Sequence, residues 1–145
     1  MSYPPLVKFA TEDEYRQHFY QKYCQGRIIT FDGILVSFNT RDFNHAFYES
    51  SGSIQPTKDK FSLFRAQRID WIEKALLDKN AILKVGWNSK KKQFDQTRRV
   101  TLANRNYVVV IKFLRSGNAR FITAFLADKH RTLLQIHNSP GWGSP

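Results

Sequence analysis

Four β-rich runs crowd the C-terminal half of the chain, AILKVGW (81–87), RRVTLA (98–103), YVVVIKFL (107–114) and RFITAFLA (120–127). The links between them, NSKKKQFDQT, NRN and RSGN, carry the Asn, Ser, Gly and charge of hairpin loops. Four strands joined this briefly form an antiparallel meander, since parallel neighbours need long crossovers. No proline falls between Pro56 and Pro140, so nothing bars these strands from central ladder positions.

The N-terminal half reads as helix and hairpin. Thr11-Glu12-Asp13-Glu14 is a capping box opening a helix over about residues 12–24, whose Tyr15, Phe19 and Tyr23 share one face and which Gly26 can stop. In IITFDGILVSF, two β-rich runs flank Asp32-Gly33, a dipeptide suited to a tight hairpin turn. Residues 50–60 have the Ser, Gly and Pro of a mobile loop, and a second helix is expected over about 63–77. Its stripe of Phe64, Ile69, Trp71, Ile72, Ala75 and Leu76 also contains Arg65 and Arg68. A cation on a core-facing stripe requires a carboxylate, a carbonyl or a bound phosphate.

The expected fold is α+β, with N-terminal helices and a hairpin packed on a four-stranded antiparallel sheet whose second face is open. At 145 residues one domain is expected, with its core over about 12–127 and a flexible tail over 137–145. Cys24 is the single cysteine, so no internal disulfide supports the fold. The chain has no apolar run long enough for a membrane span, and MSYPPLVKF lacks the pattern of a signal peptide. We expect a cytoplasmic protein without membrane insertion.

Charge divides the chain unevenly. Residues 1–80 hold 11 Lys/Arg against 10 Asp/Glu, whereas residues 81–145 hold 12 Lys/Arg against Asp95 and Asp128. So concentrated a field favours a polyanion, nucleic acid above all, although an anionic membrane or an acidic protein meets the same electrostatics. There is no Gly-rich phosphate loop, zinc spacing or nucleophile elbow. With acids this sparse in the sheet half, a site for Mg²⁺ is hard to build, and neither cofactor nor metal is expected.

A metal-free ribonuclease asks for less: an acid and a base for the 2′-OH and the leaving oxygen, and cations around the phosphate. His45, Arg65, Arg68, Lys84, Arg98, Arg99, Tyr107, Lys112 and Thr123 supply such groups. The segments DFNHAFYES, FSLFRAQRIDWIEKAL, ILKVGW, RRVTLANRNYVVVIKF and ARFITAF, in that order, resemble the phage- and toxin-associated branch of the barnase–EndoU–colicin–RelE ribonuclease superfamily over roughly residues 28–127. The resemblance implies a small toxin ribonuclease with helices preceding a four-stranded sheet, and an acidic immunity or antitoxin partner. It places His45 as the acid–base group, Arg65 and Arg99 (with Arg98 as the other choice on that strand) at the phosphate, and Thr123 as a hydrogen-bond donor to a phosphate oxygen. Arg68, Lys84, Lys90, Lys91, Lys92, Arg98, Tyr107 and Lys112 would bind RNA.

Each assignment has a plainer counterpart. His45 can be a solvated surface residue. Arg65 can pair with Glu49 or Asp70. Thr123 suits any strand, Lys90–Lys92 any hairpin tip, and Tyr107 can simply cover the sheet. A non-catalytic nucleic-acid-binding or counter-defence module on the same basic sheet, and a protein-interaction domain with an acidic partner, both stay open.

Overall fold

The computed structural model describes residues 3–50 and 58–143. Helix α1 (Glu12–Phe19) starts at the expected capping box, with Thr11 accepting from the Glu14 N–H and Glu14 from the Thr11 N–H. A π-helical segment, Tyr20–Cys24, continues it. The hairpin follows as β1 (Ile28–Ile29) and β2 (Leu35–Ser37), with Gly33 at a φ of 86° in its turn. Helix α2 (Asp42–Phe47) leads into β3 (Tyr48–Ser50), which pairs with β4 (Lys58–Phe61). The expected loop over 50–60 is thus bounded by a small separate sheet, and residues 51–57 lie outside the described residues.

The single helix expected over 63–77 is two: α3 (Leu63–Ala66) and α4 (Trp71–Leu77). The break has a physical cause. Val7 N–H donates to the Gln67 carbonyl and the Tyr23 hydroxyl to the Ile69 carbonyl, so these acceptors turn away from a helical ladder.

Strands β5 (Ile82–Asn88), β6 (Gln93–Leu102), β7 (Tyr107–Phe113) and β8 (Ala119–Leu126) form the expected antiparallel meander. The sheet is larger than four strands. β2 adds parallel to β8 and β1 antiparallel to β2, giving a mixed six-stranded sheet in the order β1-β2-β8-β7-β6-β5. The α+β class stands, while the four-stranded antiparallel sheet is corrected to this one. Once β8 has a free edge, the hairpin can satisfy its backbone groups there.

Alternation of side chains gives the sheet two faces. One carries Tyr107, Val109, Ile111 and Phe121 into the main core with Tyr15, Phe19, Phe43, Phe47, Ile72 and Leu76. Phe19 sits at its centre, in ring contact with Tyr23, Phe38, Phe43, Phe47 and Phe121. The second face is only partly open, contrary to expectation. Helix α5 (His130–His137) lays Leu133 and Ile136 over Leu102, Val108 and Ala127, with Val100, Val110 and Phe125 around them. Beyond α5 the chain returns along the outer edge of β5, where Gly141 bridges Lys84 and Trp142 N–H donates to the Leu83 carbonyl. The tail expected to fray is therefore hydrogen-bonded as far as Trp142.

Candidate functional site

The uncovered part of the second face begins where α5 ends. Along β6, β7 and β8 the cross-strand rows run from Leu102, Val108 and Phe125 through Val100, Val110 and Thr123 to Arg98, Lys112 and Arg120. Three cations thus stand directly opposite one another. Like charges in this register repel, so the row favours an anion laid across it. Arg98 has Asp95 at 3.6 Å, and Lys112 makes no ion pair among the described residues. Arg120 borders α2: burial raises the Asp42 carboxyl above its ordinary value, while the charge of Arg120 works against that rise.

One row from these cations, Thr123 and Arg65 line a single cleft of about 340 Å³ with Phe125, Asp128, Lys129 and Thr132. The Arg65 guanidinium lies over the Phe125 ring at 5.9 Å. The Thr123 hydroxyl is buried and has no hydrogen-bond partner among the described residues. A buried hydroxyl left unpaired costs free energy that a bound oxyanion would offset. Helices α2 and α3 pack against each other and both against β8, so the elements bearing His45, Arg65 and Thr123 meet beside that strand. His45 lies in the last turn of α2 and is exposed.

Four expected site residues are engaged within the fold. Arg99 is 1% exposed and faces the main core, gripping Asp32 through N–H donors at 2.6 and 3.2 Å beneath Phe113 and Trp142. It cannot reach a phosphate on the second face. Its neighbour Arg98 points there instead, because successive strand residues alternate. Tyr107 is also a core residue, 1% exposed, its hydroxyl held well above its ordinary pKa by burial, and it offers no ring to a base. The Lys84 ammonium caps α5, donating to the His137 and Ser139 carbonyls at 3.0 and 3.1 Å. Arg68 donates to the Phe64 carbonyl at 2.7 Å and stacks over Phe64 and Trp71, and burial lowers its pKa.

Lys90, Lys91 and Lys92 are exposed at the β5–β6 tip, whose turn is shaped by the Asn88 side chain accepting from the Lys90 and Lys91 N–H groups. Sequence reasoning missed two residues beside them. Trp87 and Phe94 are 53% and 40% exposed and meet edge to face at 5.1 Å. Aromatic residues opposite each other beside a lysine-rich turn were the available signal. The whole is an α+β domain with one partly covered sheet face, a cation row, and a cleft beside β8 lined by both charged and apolar side chains. A scan against protein-family models, a search of curated proteins and a search of solved structures each returned no match.

Proposed function

We propose that the protein is a metal-independent endoribonuclease that cleaves RNA by attack of the 2′-oxygen on the adjacent phosphorus, within the barnase–EndoU–colicin–RelE-like class. The observation that carries this reading is the meeting of α2, α3 and β8, with Arg65 and the unpaired Thr123 hydroxyl in one cleft beside the cation row. In this scheme the scissile phosphate rests between Arg65 and the Arg98–Lys112–Arg120 row, and Thr123 donates to a non-bridging oxygen. These groups stabilise the charge that grows on the pentacoordinate phosphorus. His45 transfers the proton at one of the two reacting oxygens. The 2′-oxygen forms a bond to phosphorus as the bond to the 5′-oxygen breaks, leaving a 2′,3′-cyclic phosphate and a 5′-hydroxyl. Arg99, expected at the phosphate, has no part in it.

A ribonuclease of this kind requires restraint in its own cell, and the cation row fits an acidic immunity or antitoxin protein. Among the described residues no helix is long and apolar enough to cross a membrane.

The test compares RNA cleavage by Arg65→Ala, Thr123→Val and Arg99→Met with the parent. Loss of one phosphate-stabilising donor costs about 10²–10³-fold in rate, so the first two variants fall by that order while folded Arg99→Met keeps cleaving. Cleavage that tolerates the loss of both Arg65 and Thr123 would remove the proposed site.

A further inference from the structure

A second cleft, of about 580 Å³, opens between the β5–β6 hairpin and α5. The lining has Trp87 and Phe94 from the hairpin and Arg131, Leu134, Gln135, Asn138 and Ser139 from α5 and the turn after it. Large aromatic rings exposed as a cross-strand pair are unusual on a surface that has an apolar core to receive them. Leu134, 47% exposed, adds to the same apolar patch. The described residues leave these groups about half uncovered, and their surroundings are cationic: Arg131 is in the wall, and Lys90, Lys91 and Lys92 stand at the tip of the same hairpin. Among the described residues that line the cleft, none is acidic.

We propose that this cleft is a base-stacking subsite for an unpaired segment of RNA, which enters the site of the ribonuclease reading on which this inference rests. Flat rings take a nucleobase on their face, and cations spaced along the hairpin take the phosphates on either side of it. The Gln135 and Asn138 amides each present a donor and an acceptor suited to a base edge. An RNA duplex would not fit, because its bases are stacked inside and its outer surface is ribose and phosphate. An acidic protein would use the lysines but has no need of exposed rings or of a cleft sized for one or two bases. Asp95, the one acid between Trp87 and Arg98, is tied back by Thr97, whose hydroxyl and N–H donate to it at 2.6 and 2.9 Å. Its charge is met by Arg98, 3.6 Å from its other carboxylate oxygen.

The experiment uses the full chain carrying His45→Ala, so that cleavage does not consume the probe. Binding of a single-stranded oligouridylate of about a dozen nucleotides is measured by fluorescence anisotropy, beside a self-complementary RNA duplex and poly-L-glutamate. Trp87→Ala and Phe94→Ala should each weaken oligouridylate binding by about tenfold. Trp87→Phe should recover most of that affinity, which a merely structural effect on the hairpin would not predict. Duplex binding should be weaker and indifferent to both substitutions. Unchanged oligouridylate affinity in both alanine variants overturns the subsite, as does a loss of poly-L-glutamate binding that matches the loss for RNA. With His45 restored, the subsite predicts a raised KM and a preserved kcat for Trp87→Ala. Ring-dependent binding without any cleavage by the parent would remove the ribonuclease reading and keep the subsite, whereas cleavage with an unchanged KM would do the reverse.

Discussion

Asp32→Ala removes the carboxylate that Arg99 holds with two N–H donors at 2.6 and 3.2 Å. The Arg99 side chain is 1% exposed and that of Asp32 34%, so the guanidinium is left inside the protein while the lost partner stood near solvent. Breaking a buried ion pair from one side costs about 3–5 kcal/mol. Solvent screening at Asp32 takes the expectation to the low end, about 3 kcal/mol, out of a total stability of about 5–15 kcal/mol. For a domain of this size that corresponds to a fall in Tm of roughly 10 °C. Urea unfolding followed by circular dichroism supplies the free energy, and a thermal scan the Tm. The double variant Asp32→Ala/Arg99→Met should be more stable than Asp32→Ala alone, because it removes the orphaned charge and leaves an apolar side chain against Phe113 and Trp142. A cost below about 0.5 kcal/mol for Asp32→Ala would refute the burial argument. So would an Arg99→Met protein as stable as the parent but unable to cleave RNA, since that would return Arg99 to the phosphate.

Three further outcomes follow from the same geometry. Thr123→Val should leave stability unchanged or raise it by up to about 1 kcal/mol, because a methyl replaces a buried hydroxyl that has no partner; a cost above about 1 kcal/mol in urea unfolding would mean that the hydroxyl is bonded in the resting protein. A Cβ at Gly86 would stand 2.7 Å from the Arg98 Cβ, so Gly86→Ala should cost about 1–3 kcal/mol and displace Arg98, read as a lower urea midpoint together with weaker RNA binding. Burial tends to raise the Asp32 carboxyl, but bonds from Arg99 and Thr30 bring it below its ordinary value, and Thr97 holds Asp95 down to about 2. A depressed carboxyl stabilises the fold above its unfolded pKa of about 3.9, and that contribution is lost as pH falls through the folded value. Asp42, raised by burial, acts in the opposite sense. The urea midpoint should therefore drop between about pH 4 and about pH 2, and Asp95→Asn should flatten the drop; an equal slope in both proteins would contradict the role given to Thr97.

Local patterns in the chain announce much of this architecture. The Thr11–Glu14 box, the Asp32-Gly33 turn and the β-rich run through Val108–Ile111 are short-range signals, and each produces its element. The parallel seat of β2 against β8 depends on a backbone edge that no local pattern reports. The break between α3 and α4 depends on hydroxyl and N–H donors from Tyr23 and Val7, remote in sequence. Helix α5 opens at Lys129 without the side-chain cap that marks α1, so the cover it lays over Leu102 and Val108 was not foreseen.

The site was legible as a set of residue types and only in part as positions. Arg98 and Arg99 are adjacent, and a strand sends one to each face. Which goes where depends on the register of β6 against β7, which sets Arg98 opposite Lys112 and Arg99 opposite Ile111. Lys84 and Tyr107 carry suitable groups, but the end of α5 takes one and the core the other. Aromatic side chains usually serve a core, and only the geometry of the hairpin leaves Trp87 and Phe94 outside.

The central claim is tested most directly by incubating the purified protein with total RNA in EDTA, beside His45→Ala, and analysing the fragment ends. The account predicts cleavage that survives the chelator, ends in 2′,3′-cyclic phosphate, and falls by about 10²–10⁴-fold in the variant. RNA left intact by the folded parent from about pH 5 to about pH 8, the range in which histidine titrates, would contradict it. The basic sheet face would then belong to a protein that binds RNA without cutting it.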